Sequence, residues 1–200
     1  MLSLVPSAPD EAGLLSRVIA RSPSAAKELF DAFAPRVRAL GRRLGLHAAD
    51  AEDLVQDSML VVWRRAHQIN RPEQLQAFVL GVAANKARAL MRRRRWARAL
   101  GLEPAVTPGL YEEVAGVAAT ESTHELKRVN AVLQGMSDDL RVVFVLRFVE
   151  QLTLEEAAQA SGWSLATLKR KAERARTVFV ARARQDPLLW DRLSKEERDG

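Results

Sequence analysis

The chain has 200 residues, 48% of them hydrophobic and 28% charged, an ordinary globular composition that excludes wholesale disorder. With no cysteine it holds no disulfide, no thiolate metal site and no cysteine nucleophile. Lysine and arginine number 31 against 25 acidic residues, a net charge of +6, and no apolar run approaches the roughly 18 residues of a membrane-spanning helix.

The amino terminus, MLSLVPSAPDEAG, lacks a basic leader and its apolar stretch is broken by Pro6. No signal peptide is expected there, and the expected location is the cytoplasm. The first apolar stripe is Leu29, Phe33, Val37, Leu40 and Leu44, one face of a helix. Pro35 lies inside it and predicts a kink or a break near Ala34. A second helix is predicted from Asp50, as N-cap, to Ala66, with Val55, Met59 and Val62 on one side. After the loop His67–Arg71, Pro72 opens a third helix that runs through an arginine tract to about Leu100.

That third helix carries the first charge cluster. Lys86 to Arg98 (KARALMRRRRWAR) contains seven basic residues and no acidic one. On its wheel Val79, Val82, Ala83 and Leu90 share the apolar side, while Phe78, Asn85, Arg88, Arg92, Arg95 and Trp96 fall on the other half. Aromatics interleaved with arginine and an amide suit a single-stranded nucleic acid, offering stacking surfaces for bases and cations for the backbone. Ala99 to His124 then holds two prolines, three glycines, four glutamates and no lysine or arginine, the composition of a linker.

Beyond the linker, Val129, Val132, Leu133 and Met136 form one stripe, and Leu140, Val143, Phe144 and Phe148 another. Thr153-Leu-Glu-Glu156 is a capping box that starts a short helix to about Ser161. Gly162 ends it as a residue able to take positive φ, and Ser164 caps a further helix. Leu168, Ala172, Ala175 and Phe179 are the core side of that helix. A short helix, a glycine turn and a basic second helix make a helix-turn-helix, whose second helix fits a DNA major groove. Thr167, Lys169, Arg170 and Lys171 lie near its start, and Arg174 and Arg176 come after them. The second charge cluster, Lys169 to Arg184, has seven basic residues against Glu173 alone, so the two clusters hold 14 of the 31 positive charges. No window alternates with period 2, so the fold class is all-α.

An enzyme is not expected. His47, His67 and His124 are far apart, and there is no glycine-rich phosphate loop, GxSxG or HExxH. No metal site and no cofactor are expected either.

At this point a family becomes visible. AEDLVQDSMLVVWRR followed by QLQAFVLGVAANKARALMRRRR resembles the second conserved region of bacterial RNA polymerase sigma factors of the extracytoplasmic-function group. MSDDLRVVFVLRFVEQLTLEEAAQASGWSLATLKRKAERAR resembles their fourth region. The resemblance implies a docking and −10 domain at residues 1–98, a linker at 99–124, a −35 helix-turn-helix domain at 125–184 and a tail at 185–200. It further implies docking of Asp53, Leu54, Gln56 and Asp57 on the β′ clamp of core polymerase. Phe78, Asn85, Arg88, Arg92 and Arg95 would open and read the −10 element. Thr167, Lys169, Arg170, Lys171, Arg174 and Arg176 would read the −35 element as duplex. The linker would thread the polymerase channels, the β flap would be a second polymerase contact, and an anti-sigma factor is an expected partner, with no membrane contact. The chain departs from the family pattern at Trp163 and Ser164, where a small aliphatic residue and proline are usual, at Ala166 in place of a common glycine, and at Ala172 and Glu173. Two other readings are a stand-alone helix-turn-helix regulator of duplex DNA and a sigma-like adaptor with vestigial DNA binding.

Overall fold

The computed structural model describes residues 11–101 and 121–199. The leader reading of residues 1–10 and the threading of most of the linker lie outside the described residues. Every regular element among the described residues is helical.

Helix α1 (Glu11–Ile19) precedes the elements that the sequence pattern predicts and buries Leu14, Leu15 and Val18 against α2. Helix α2 (Ala25–Arg43) passes through Pro35 without the expected break. Proline removes the N–H that would meet the Asp31 carbonyl, but both residues face solvent, where water replaces that bond. Helix α3 (Ala48–Arg65) is capped by His47 rather than Asp50. The His47 backbone is extended, and its carbonyl already accepts the first helical bond, from Ala51 N at 2.9 Å. Asp50 instead sits in the first turn and takes an ion pair from Arg94. Short 3-10 turns at Ala66–Gln68 and Pro72–Gln74 lead into α4 (Leu75–Ala99), which matches the predicted span.

Helix α5 (Glu121–Gln134) begins inside the predicted linker. Helix α6 (Asp138–Phe144) gives way to a π-helical turn, Val145–Val149, closed by Glu150 N on the Val145 carbonyl at 2.9 Å. The extra residue in that turn shifts the helical phase of its side chains. The predicted stripe therefore splits: Leu140, Val143 and Phe144 are buried, but Phe148 is 40% exposed. Helix α7 (Leu154–Ser161) has both arms of its capping box, Glu156 N to Thr153 Oγ1 at 3.1 Å and Thr153 N to Glu156 Oε2 at 2.7 Å. Gly162 takes φ +71°, and Ser164 caps α8 (Leu165–Ala183) by accepting from Thr167 N. The tail is ordered as α9 (Pro187–Asp199), docked on α5 and α8. Asp186 accepts from the Leu188 and Leu189 amides at its start and from Arg128 at 2.7 and 2.8 Å, while Leu189 is buried.

Helices α1–α4 and α5–α9 do not lie apart. They touch along α4–α7, α4–α6 and α2–α5, and their buried residues form one contiguous cluster. At the first seam a Cβ on Gly81 would stand 2.7 Å from Ala160 Cα, so only glycine permits this approach. At the third seam buried Arg141 donates to the carbonyls of Gln134, Met136 and Leu44, satisfying groups at the ends of α5 and α2. Beside it Arg43 Nη1 lies 3.0 Å from the buried Glu150 carboxylate.

Burial pushes the Glu150 carboxyl above the ordinary carboxylate range, although Arg43 and Arg36 pull it back. A carboxyl whose folded pKa is raised binds protons more readily folded than unfolded, so its ionisation costs stability as pH rises through that range. Glu150→Gln keeps an acceptor for Arg43 and removes the charge, so it should be at least as stable as the wild type at neutral pH. That margin should shrink on acidification, as Glu150 itself becomes neutral; urea unfolding of both proteins across the acidic range checks this, and a widening margin contradicts it.

Candidate nucleic-acid interface

Three surfaces carry the residues singled out from the sequence. On α3, Asp53, Gln56 and Asp57 are exposed on one face. Leu54 is not with them: it is 1% exposed and packs on Gly41 in the core. A helix turns Leu54 away from Asp53, Gln56 and Asp57, whereas Leu60 shares their side at the i, i+3, i+4, i+7 spacing. Leu60 is 54% exposed and is the apolar residue on this face that the sequence reading missed. Its signal was that same spacing. Asp57 pairs with Lys86 of α4 at 2.8 Å yet stays 63% exposed. Between α3 and α4, Asp53, Gln56, Asp57, Lys86 and Arg93 border a depression of about 510 Å³.

On α4, Val79 and Ala83 are buried as the wheel predicts, and Val82 and Leu90 are half-buried. Phe78 is also half-buried, packed at the edge of the core, and with Asn85 and Gly81 it borders a cavity of about 300 Å³ closed on the far side by Gln159 and Ala160. Asn85 Nδ2 donates to the Ala160 carbonyl at 2.7 Å, and Arg88 Nη1 to the Ser161 carbonyl at 3.1 Å. Both acceptors are in the last turn of α7, where carbonyls lack helical partners and the helix dipole favours a cation. Arg95 pairs with Asp138 at 3.3 Å. Arg92 is exposed and has no ion pair among the described residues.

On α8, Lys169, Arg170, Arg174 and Arg176 are exposed and free of ion pairs among the described residues. Thr167 is drawn into the cap, its hydroxyl accepting from Ser164 Oγ at 2.9 Å. Lys171 is half-buried and reaches Asp139 at 2.7 Å. The α4 and α8 cations thus meet: Arg92 and Arg95 face Arg170 and Arg174 across a cleft of about 510 Å³ floored by Asp138 and Asp139. The sequence reading treated these cations as two separate clusters and did not anticipate the carboxylates between them.

Comparison with known proteins bears on the two sets of helices separately and together. Residues 29–97 match Sigma-70 region 2, and residues 126–177 match Sigma-70 region 4. The RNA polymerase sigma-E factor of Streptomyces coelicolor is 32% identical over 162 residues, which are 79% of this chain and 85% of that protein. The chain belongs to the sigma-70 family. Among its relatives is the ECF RNA polymerase sigma factor RpoE of Cereibacter sphaeroides, 27% identical over 150 residues that cover 74% of this chain and 81% of that one. In three dimensions it is similar to the sigma factor RpoE of Bartonella quintana in its co-crystal with the anti-sigma factor NepR, with TM-score 0.58 and 25% identity over 76% of this chain and 92% of that one. The matches place it in the extracytoplasmic-function group, and as a sigma factor it directs RNA polymerase to promoters. A stand-alone regulator is not favoured, because the region 2 match covers the half that such a regulator would not need.

The Gly81 approach makes the seam testable. Gly81→Leu places a branched side chain against the α7 backbone, an overpacking cost of about 1–3 kcal/mol that the protein avoids by parting the two halves. The expected result is a larger radius of gyration in solution scattering with helicity retained; an unchanged radius contradicts it.

Proposed function

We propose that this sigma factor divides its work among three surfaces: α3 binds core polymerase, α4 opens and reads the −10 element, and α8 reads the −35 element. The observation that carries the reading is the pair of basic helices from two different family regions in one chain. The exposed face of α3, with Asp53, Gln56, Asp57 and Leu60, supports docking on the β′ clamp; Leu54 supports it from within, by holding α3 on α2. The exposed cations Lys169, Arg170, Arg174 and Arg176 on α8 support a duplex contact, with Lys171 joining once its Asp139 pair is exchanged for phosphate. Phe78, Asn85, Arg88, Arg92 and Arg95 support the −10 role on condition that α7 moves away, since Asn85 and Arg88 are engaged with its carbonyls. The domain limits proposed from the sequence, 1–98, 99–124, 125–184 and 185–200, serve this division, with α5 reaching back into the linker and α9 attached to the last domain. The action is non-enzymatic and cytoplasmic, with the β flap as a second polymerase contact. The likeness to RpoE in its complex with NepR supports an anti-sigma factor as a further partner.

The deciding experiment adds the protein to core polymerase and asks for initiation at a defined site. The double change Gln56→Ala, Asp57→Ala removes exposed side chains, so folding should be nearly unaffected while association with core polymerase weakens at least tenfold, about 1.4 kcal/mol. Unaltered association overturns the docking assignment. On α8, Arg170→Ala should cost about 1–3 kcal/mol and relax base preference at one or two positions. Arg176→Ala should weaken all sequences alike and lower the salt dependence by about one charge. Binding-site selection on random duplexes separates the two outcomes, and an unchanged profile for Arg170→Ala defeats the base-reading role.

A further inference from the structure

Three of the proposed DNA-facing cations are already occupied, and by carboxylates from one two-residue step at the start of α6. Asp138 takes Arg95. Asp139 takes Lys171 of α8 at 2.7 Å and, on its other oxygen, Arg88 of α4 at 3.6 Å. Trp163, in the turn between α7 and α8, offers its ring to the same two cations. The Arg88 guanidinium carbon is 4.4 Å from a Trp163 ring centroid, and Lys171 Nζ is 4.7 Å from it. One cation from each DNA-reading helix therefore shares a carboxylate and an indole with the other.

That arrangement has an electrostatic logic. Bringing Arg88 and Lys171 to one place is repulsive unless negative charge lies between them. Asp139 supplies a full charge and the Trp163 face supplies the negative side of its quadrupole. Phosphate and base are the two chemical features that the same cations would meet on DNA. Each contact alone is the kind of part-exposed pair that contributes little. Together, and joined to the Asn85 and Arg88 bonds on the α7 carbonyls, they bias the equilibrium without locking it.

We propose that Asp139 and Trp163 form an autoinhibitory clasp, standing in for DNA phosphate and base so that the −10 and −35 helices hold each other out of use. The two surfaces are then coupled. A duplex phosphate that takes Lys171 from Asp139 weakens the hold on Arg88, and by linkage a strand that takes Arg88 eases duplex binding. The clasp rests on the reading of α4 and α8 as DNA-facing helices.

Because the chain has no cysteine, a donor and an acceptor dye can be placed at Ala26→Cys and Gln185→Cys, both exposed and one on each half. Trp163→Ala, which changes no charge, and Asp139→Asn, which leaves the helix-turn-helix core intact, should each shift the dye distance to longer values. Each should also bind a short random-sequence duplex at low salt about three- to tenfold more tightly than the dye-labelled parent, the size expected of a few weak contacts. Glu155→Gln removes one exposed carboxylate of α7 outside the clasp and should give a clearly smaller gain. Should Trp163→Ala fail to fold, Asp139→Asn decides alone. An unchanged dye distance in Asp139→Asn overturns the clasp, as does a longer distance without tighter duplex binding, or a gain no larger than that of Glu155→Gln. A parent and variants that bind no duplex at all overturn instead the reading of the helices as DNA-facing, and the clasp falls with it.

Discussion

The approach of α4 to α7 at Gly81 and Ala160 is the contact on which the rest of the arrangement depends. Two helices come this close only where side chains are minimal, and a glycine in the interior of α4 costs helix stability of about 1 kcal/mol relative to alanine. The interactions that offset that cost lie one and two turns along. Asn85 and Arg88 reach carbonyls in the last turn of α7 that no helical N–H can satisfy. That seam sets the position of α6 beside α4, the convergence of two basic surfaces on one cleft, and the contact of α2 with α5 that Arg141 fills. Small residues set the distance, and polar groups at helix ends set the register.

Much of this was legible in local signals. The Thr153 and Glu156 box, the Gly162 turn and the Ser164 cap each depend on a few adjacent residues, so their geometry could be read from the sequence. The all-α class and the span of α4 come from periodicity in the same way. Where the reading and the structure part, the cause is a competing local or long-range term. Pro35 does not break α2, because the carbonyl it strands faces water. Asp50 yields the cap to His47, because Asp50 has Arg94 as a partner distant in sequence. The stripe ending at Phe148 runs into a π turn that changes the helical phase.

The placement of the candidate surfaces was legible in kind but less so in detail. Charge clustering found both basic helices, and the family resemblance singled out the segment of α3 that holds Asp53, Gln56 and Asp57. It could not tell that Leu54 points inward while Leu60 points out without fixing which side of α3 meets α2. The meeting of the two basic helices had only one trace in the sequence, a glycine inside an otherwise well-formed helix, and its partner Ala160 is invisible without the fold. The pairing of Asp138 and Asp139 with cations of α4 and α8 was hidden for a related reason. An acidic first turn after a serine cap is explained by the helix dipole alone.

The pairing of these cations with the chain's own carboxylates has a consequence for how such a chain competes for sites in a cell. Nonspecific affinity for DNA grows with the number of phosphates neutralised, because each releases condensed counterions. A genome offers an enormous excess of such sites, on the order of millions, so a protein that displays all its positive charge is held mostly on irrelevant sequence. With Arg88, Arg95 and Lys171 turned onto its own carboxylates, this chain presents a weaker electrostatic footprint than its composition suggests. By mass action a smaller share of it would be held on the chromosome, and a larger share would be left for core polymerase.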